Sequence, residues 1–327
     1  MRRLLLAIIL FAYVPSLYVC AQQVHAVIIN GGRSRLYNHE RYWNDCAFLY
    51  RTLRNDYHVP KRNITLLMSD GGQPDDDMIL ADNTGFASSP TDLDGDSVPD
   101  VSQAASSFNL RSLMVRYAQQ LTADDHLLVF LVDHGGLSDA WGLPYVWLWN
   151  NEQLNAQQLD FMLDQVHAGS IVLVLGQCYA GSFVPYLQGE RRVVIAACQS
   201  DEVSWSLLSQ PYDEFVYHWT CAVAGHDPQG DPVNADTDGN GRITMDEAFN
   251  YACQHDKRPE TPLMTSQPET MAGEWSLAGG LSDGIRPPVA NSSRQTMYAV
   301  SGMQGRAGGR GITIGKGHKI IKNNKIQ

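Results

Sequence analysis

Past residue 21 this chain of 327 residues has no apolar run long enough for a membrane, no internal repeat and no acidic side chain after Asp283. Its histidines His39, His126, His167 and His218 show no metal-ligand spacing. The first absence excludes a transmembrane segment in the mature chain, because a span needs about 20 consecutive apolar residues. The second excludes a solenoid or propeller. The fourth leaves those histidines as structural or surface groups. Positive charge is also scarce. The net charge of −11 argues against nucleic acid as a partner. Eight of the basic residues lie in the tail from Arg286 to Lys325, so the body before it is near −19.

The ends read separately from the middle. Met1-Arg2-Arg3, the apolar stretch Leu4 to Tyr18 and a small residue at Ala21 have the layout of a secretory signal peptide over 1–21. The protein is therefore expected outside the cytoplasm: secreted, periplasmic or at the cell surface. Residues 286–327 are Gly-rich and basic, and read as an extension. Of six cysteines, Cys20 falls in the signal. Cys46, Cys178, Cys198, Cys221 and Cys253 remain, and an odd count in an exported chain points to one free thiol, Cys178. The other four form two bridges or none.

Between 22 and 285 apolar runs alternate with helical patterns. His25–Asn30, Asn63–Met68, His126–Val132, Ser170–Leu175 and Arg192–Cys198 read as strands. Stretches near 37–57, 102–121, 152–167 and 212–224 read as helices, and 145–149 as a hairpin strand. That alternation predicts an α/β fold, a three-layer αβα sandwich on a mostly parallel sheet.

Two strands end in reactive side chains: one runs into Asp133-His134-Gly135-Gly136, the other into Gly176-Gln177-Cys178. Ligands bind at the carboxyl ends of parallel strands. A cysteine and a histidine brought to one such edge make a nucleophile and its acid–base partner. The N–H groups of Gly135 and Cys178 are candidate oxyanion donors. Asp133 either orients His134 or points away, since side chains alternate along a strand. Trp141, Tyr145, Trp147 and Trp149 are core residues or the wall of a substrate groove.

Two acidic loops point to calcium. Asp236, Asp238, Asn240 and Thr244 stand at positions 1, 3, 5 and 9 of a twelve-residue loop. Arg242 offers its carbonyl at position 7, Glu247 closes position 12 and Gly241 makes the turn at position 6, as an EF-hand loop requires. A second loop at 92–103 offers Asp92, Asp94, Asp96, Val98 (by its carbonyl) and Asp100, but has Gln103 at the closing position.

The motifs Val132-Asp133-His134-Gly135-Gly136 and Gly176-Gln177-Cys178-Tyr179-Ala180-Gly181 resemble the active-site motifs of clan CD cysteine peptidases. The stretches Ala26–Gly32, Tyr37–His39, Asn44–Tyr50 and Val59–Ile64 place the resemblance closest to the legumain family, C13. It implies a caspase-like fold, a dyad of His134 and Cys178, and protein or peptide substrates. For the substrate pocket it implies Ser204 with Trp205 beside it, Asp213 and, by a looser match, Arg41 or His39. Gly176 stands where asparagine-cleaving relatives carry an acid, and this leaves a basic or an amide P1 side chain open. The leading expectation is a secreted, calcium-stabilised cysteine endopeptidase. Its rivals are a transpeptidase of the same family and a non-enzymatic calcium-binding protein with a degenerate site.

Overall fold

A computed structural model of the chain describes residues 23–138 and 142–278. The expected signal peptide, the basic extension and Trp141 lie outside the described residues. In chain order the strands are β1 (Gln23–Asn30), β2 (Ile64–Met68), β3 (Met78–Ile79), β4 (Phe86–Ala87), β5 (Asp125–Leu131), β6 (Gly135–Leu137), β7 (Pro144–Trp147), β8 (Gln153–Asn155), β9 (Ser170–Leu175), β10 (Arg192–Ala196) and β11 (Leu263–Gln267). The helices are α1 (Glu40–Arg51), α2 (Ser107–Gln120), α3 (Ala156–Leu163), α4 (Val184–Leu187), α5 (Glu214–Ala224), α6 (Met245–His255) and α7 (Met271–Glu274).

The main sheet has the order β11-β10-β9-β5-β1-β2, parallel except for the edge strand β11. Its strands are continuous apolar runs because both faces are covered. Ile28, Leu128, Phe130, Val172 and Val174 pack against Trp43 and Leu49 of α1, Trp219 of α5 and Ala248 of α6. The alternate residues Ile29, Leu127, Val129, Leu173 and Leu175 pack against Leu113 and Tyr117 of α2 and Leu159 of α3. The result is the expected helix–sheet–helix layering. The largely parallel central sheet fits a caspase-like fold. Leu127 through Leu131 are fully buried, and each such side chain contributes about 1.5–3 kcal/mol.

Several boundaries move. The first helix passes at Thr52 into a π-helical turn ending at Asp56. The region 152–167 holds only α3, because Asn155 and Gln158 form a capping box that starts the helix there, and the residues before it pair as β8. The expected hairpin strand near Tyr145 is β7, the centre of a second, antiparallel sheet β6-β7-β8. All five described cysteines are free, so the possibility of bridges is closed.

Strand order reverses between β1 and β5, since β2 lies on one side of β1 and the later strands on the other. The loops leaving β1, β5, β9 and β10 therefore share one edge at a switch point, where open α/β sheets bind ligands.

Candidate active site

The register of β5 and β9 pairs Leu131 with Leu175. His134 and Cys178 each follow three residues later, so adjacent parallel strands deliver them to the same edge. The loop holding His134 is fixed from below by Asp133. Its buried carboxylate accepts the N–H of His134 at 2.6 Å and that of Gly32 in the loop after β1. Asp133 thus grips backbone and does not orient the imidazole. Burial pushes its carboxyl up to about 8, against the pull of those donors.

His134 donates from Nε2 to the carbonyl of Tyr37 at 3.0 Å. This bond assigns the proton to Nε2 and leaves Nδ1 with the lone pair. The rings of Tyr42, His39 and Tyr37 meet the imidazole edge-on at centroid distances of 5.4, 5.5 and 6.1 Å. Burial, reinforced by the charges of Arg41 and Arg33, lowers the imidazole to about 4. At neutral pH His134 is therefore an uncharged base. His39, read from sequence as a structural or surface residue, belongs to this cluster and is also lowered to about 4, first by burial.

Cys178 is half-buried. Ser204 Oγ lies 3.6 Å from its sulfur and the Ser204 carbonyl 3.8 Å. The next residue, Tyr179, takes φ 59°, a left-handed conformation that turns the chain sharply into the Ala180–Phe183 turn. Gly135 sits against this corner. A Cβ there would meet the Cys178 carbonyl at 2.2 Å and Gln177 Cγ at 2.8 Å.

Of the expected substrate residues, Ser204 lies at the sulfur, and Arg41 and Asp213 pair with each other. Arg41 Nε donates to Asp213 Oδ1 at 2.6 Å and its Nη2 to the Tyr42 hydroxyl at 2.8 Å. Burial alone would lower the Arg41 pKa, but the Asp213 charge outweighs it and holds the guanidinium charged. The buried phenol of Tyr42 lies among Arg41, Asp213, Asp133 and Cys178, and burial raises it well above its ordinary value. Trp205 is 36% exposed, with the Arg258 guanidinium 4.5 Å over its ring. The Trp205 backbone N–H donates to Glu260 at 2.9 Å. Burial, then the nearby Asp256, pushes Glu260 up to about 10, so it is a protonated acid. Gly176 has no room for an acid: a Cβ would lie 2.9 Å from both Val132 and Val216.

Tyr37, Tyr42 and Glu260 were not singled out from sequence. His39 and Tyr42 are three apart at the start of α1 and so share a helix face. That spacing was the available signal for Tyr42; none marked Glu260.

In the first acidic loop Asp92, Asp94 and Asp100 converge, with carboxylate oxygens within 4.8 Å of one another. Asp96 is not part of this carboxylate group. Asp96 accepts the N–H of Val98, whose side chain is exposed. The Gln103 carbonyl accepts Met68 N–H at 3.1 Å. Lys61 Nζ already stands 2.6 Å from Asp100. In the second loop Asp236, Asp238 and Glu247 converge equally closely. Thr244 caps α6 and shares a capping box with Glu247. Asn240 Oδ1 accepts the N–H of Arg242, whose guanidinium reaches Ser276. The exiting helix is present, but residues 226–235 before the loop are not helical.

Residues 113–228 match the family model described as the Peptidase C13 family. The matched segment runs from inside α2 past the end of α5 and contains His134, Cys178, Ser204 and Asp213. It bears out the legumain-like resemblance seen in the two motifs. No curated protein matches the chain. The crystal structure of a protein from Geobacter sulfurreducens is similar at 10% identity and TM-score 0.46, covering 80% of this chain and 100% of that one. Among the described residues no helix is long and apolar enough to cross a membrane.

Proposed function

Proceeding from the C13 match, we propose that the protein is an exported, calcium-stabilised cysteine endopeptidase with Cys178 as nucleophile and His134 as its acid–base partner. The observation that carries this reading is the register of β5 and β9, which sets the two side chains three residues past one paired position. His134 Nδ1 takes the thiol proton and the sulfur attacks the scissile carbonyl. The N–H groups of Gly135 and Cys178 stabilise the oxyanion. The imidazolium then protonates the leaving amine, and water activated by the neutral imidazole hydrolyses the thioester. The buried, apolar setting of His134 favours this neutral starting pair over a preformed thiolate–imidazolium pair.

The pocket beside the sulfur favours an amide P1 side chain. Asp213 is already matched by Arg41, and burial raises the adjoining Asp45 carboxyl, which accepts the Asp213 N–H, well above its ordinary value, so the pocket offers no unpaired carboxylate to attract lysine or arginine. Arg41 Nη1 makes no hydrogen bond among the described residues, and it supplies a donor for a side-chain carbonyl. Asp213 supplies the acceptor for the amide N–H. A cleavage profile on a peptide library is expected to favour asparagine at P1 over lysine by at least about tenfold. A profile dominated by lysine or arginine would overturn this assignment.

Calcium belongs first to the 236–247 loop. Lys61 partly neutralises the other loop, whereas no cation faces the carboxylates of Asp236, Asp238 and Glu247 among the described residues. Thr244 and Glu247 start α6, which packs on α5, so an ion held there ties the loop to the sheet layer. At a hundredfold excess over Kd an ion adds about 2.7 kcal/mol. That corresponds to a rise in Tm of roughly 5–10 °C for a chain of this size. Differential scanning calorimetry with millimolar calcium, magnesium or chelator should show the rise for calcium, and Asp238→Asn should remove most of it. An unchanged Tm with calcium would reject the site.

A further inference from the structure

We propose that Arg33 is an anion-binding subsite on the leaving-group side of the cleft, taking a carboxylate two or three residues past the scissile bond. This deepens the peptidase reading and rests on it.

Strand order gives the cleft a direction. Along the shared edge the sequence β10, β9, β5, β1 sets out Ser204, Cys178, His134 and Arg33 in that order. The acyl part of a substrate lies over Ser204 and Arg41. The leaving amine must meet His134, so the chain beyond it runs towards the loop after β1. Two strand spacings amount to about 10 Å, the reach of two or three extended residues.

Arg33 is held as a rigid fork at that place. Its backbone takes φ 57°. The guanidinium carbon lies 4.2 Å over the Tyr37 ring and 4.4 Å over the Trp147 ring, so two aromatics hold the group. Nε donates to Asn151 Oδ1 at 3.1 Å, and the Arg33 carbonyl accepts the Asn151 N–H at 2.9 Å. Both rings are tied to the catalytic histidine. The Tyr37 carbonyl accepts from its Nε2, and Trp147 N–H donates to its carbonyl at 3.0 Å.

What Arg33 lacks is an anion. Arg41 and Arg192 are paired with carboxylates at 2.6–2.8 Å, but no carboxylate pairs with Arg33 among the described residues. Two rings stack on the group and Nε is bonded, while Nη1 and Nη2 make no hydrogen bond among the described residues. The edge they form is the geometry that takes a carboxylate bidentately. Stacking removes the rotamer freedom that a surface arginine would otherwise lose on binding. A clasp serving only to join the β1 loop to β7 would need the stacking but no open fork.

The test uses fluorogenic peptides identical except for Asp, Ala or Lys at the second and third positions past the scissile bond. The wild-type protein is expected to cleave the best Asp peptide with kcat/KM about tenfold above its Ala counterpart, mostly through KM. Raised salt should narrow the gap. Arg33→Gln should bring the ratio to about one, and Arg33→Lys, which keeps charge but not the fork, should fall between. If the wild type cleaves Ala and Asp peptides equally, in a Cys178-dependent way, the subsite is wrong and the peptidase reading stands. An Arg33→Gln protein that keeps the tenfold ratio also rules the subsite out. If no peptide is cleaved in a Cys178-dependent way, both readings fall.

Discussion

Cys178→Ala is expected to lower kcat/KM on any cleaved peptide by at least about 10⁴-fold while leaving the fold in place. Removing a nucleophile that acts as a unit with its base forfeits most of the chemical step. The structural cost is small, because among the described residues the half-buried sulfur has polar contacts only with Ser204. The expected change in stability is within about 1 kcal/mol. Kinetics and a thermal melt on the same preparation separate the two effects, and a thiol-reactive peptidyl probe should label wild type but not the variant. Full activity in Cys178→Ala would remove the basis for a cysteine peptidase.

His134 adds the pH dependence of the same prediction. Its folded pKa of about 4 lies below the ordinary 6.5. The base-competent neutral form therefore persists through mild acid, and the acidic limb of kcat/KM should fall near 4–5 rather than near 6.5. The sign for stability follows. A lowered histidine pKa contributes stability that is complete above 6.5 and is lost as pH falls through about 4. His39 moves the same way, so the two act together on the acid side.

The parts legible in the sequence were those governed by local rules. Runs such as Ser170–Leu175 can be buried on both faces only inside a covered parallel sheet, so strands, layers and the shared edge followed from pattern alone. The proposed dyad was legible because His134 and Cys178 each follow a strand beside a glycine-bearing turn. Ser204, Asp213 and Arg41 came from resemblance; Arg41 and Asp213 meet each other, and Ser204 meets Cys178. What their spacing could not express is that Arg41 and Asp213 satisfy each other, a contact 172 residues apart in the chain. Strand β11 escaped notice because Leu263–Gln267 is a half-buried edge strand with little alternation. Asp133 was ambiguous for a related reason: period-two logic ends where the strand ends, and its partners are backbone N–H groups that have no signature in sequence.

Gly135→Ala is expected to cut activity by about 10²-fold or more while costing about 1–3 kcal/mol of stability. Gly135 is not among the residues with positive φ, so the cost is one of space rather than backbone strain. The new methyl would fall 2.2 Å from the Cys178 carbonyl. Main chain cannot rotate away as a side chain can, and β6 is held on its other side by pairing to β7. The strain is relieved only by pushing the Cys178 corner away from the His134 loop, and a displacement near 1 Å is enough to spoil in-line attack. Two companions set the scale. The atoms nearest a Cβ at Gly136 belong to the ring end of Tyr145, 2.7 Å away at its hydroxyl, which can swing aside, so Gly136→Ala should retain more activity. A Cβ at Gly85, far along the β3–β4 loop, meets nothing within 4 Å, and Gly85→Ala should match wild type in both measurements. If Gly135→Ala keeps wild-type kcat/KM and Tm, contact between β6 and the Cys178 carbonyl is not what spaces the sulfur from the imidazole. The spacing would then have to come from the strand register and the Asp133 grip alone.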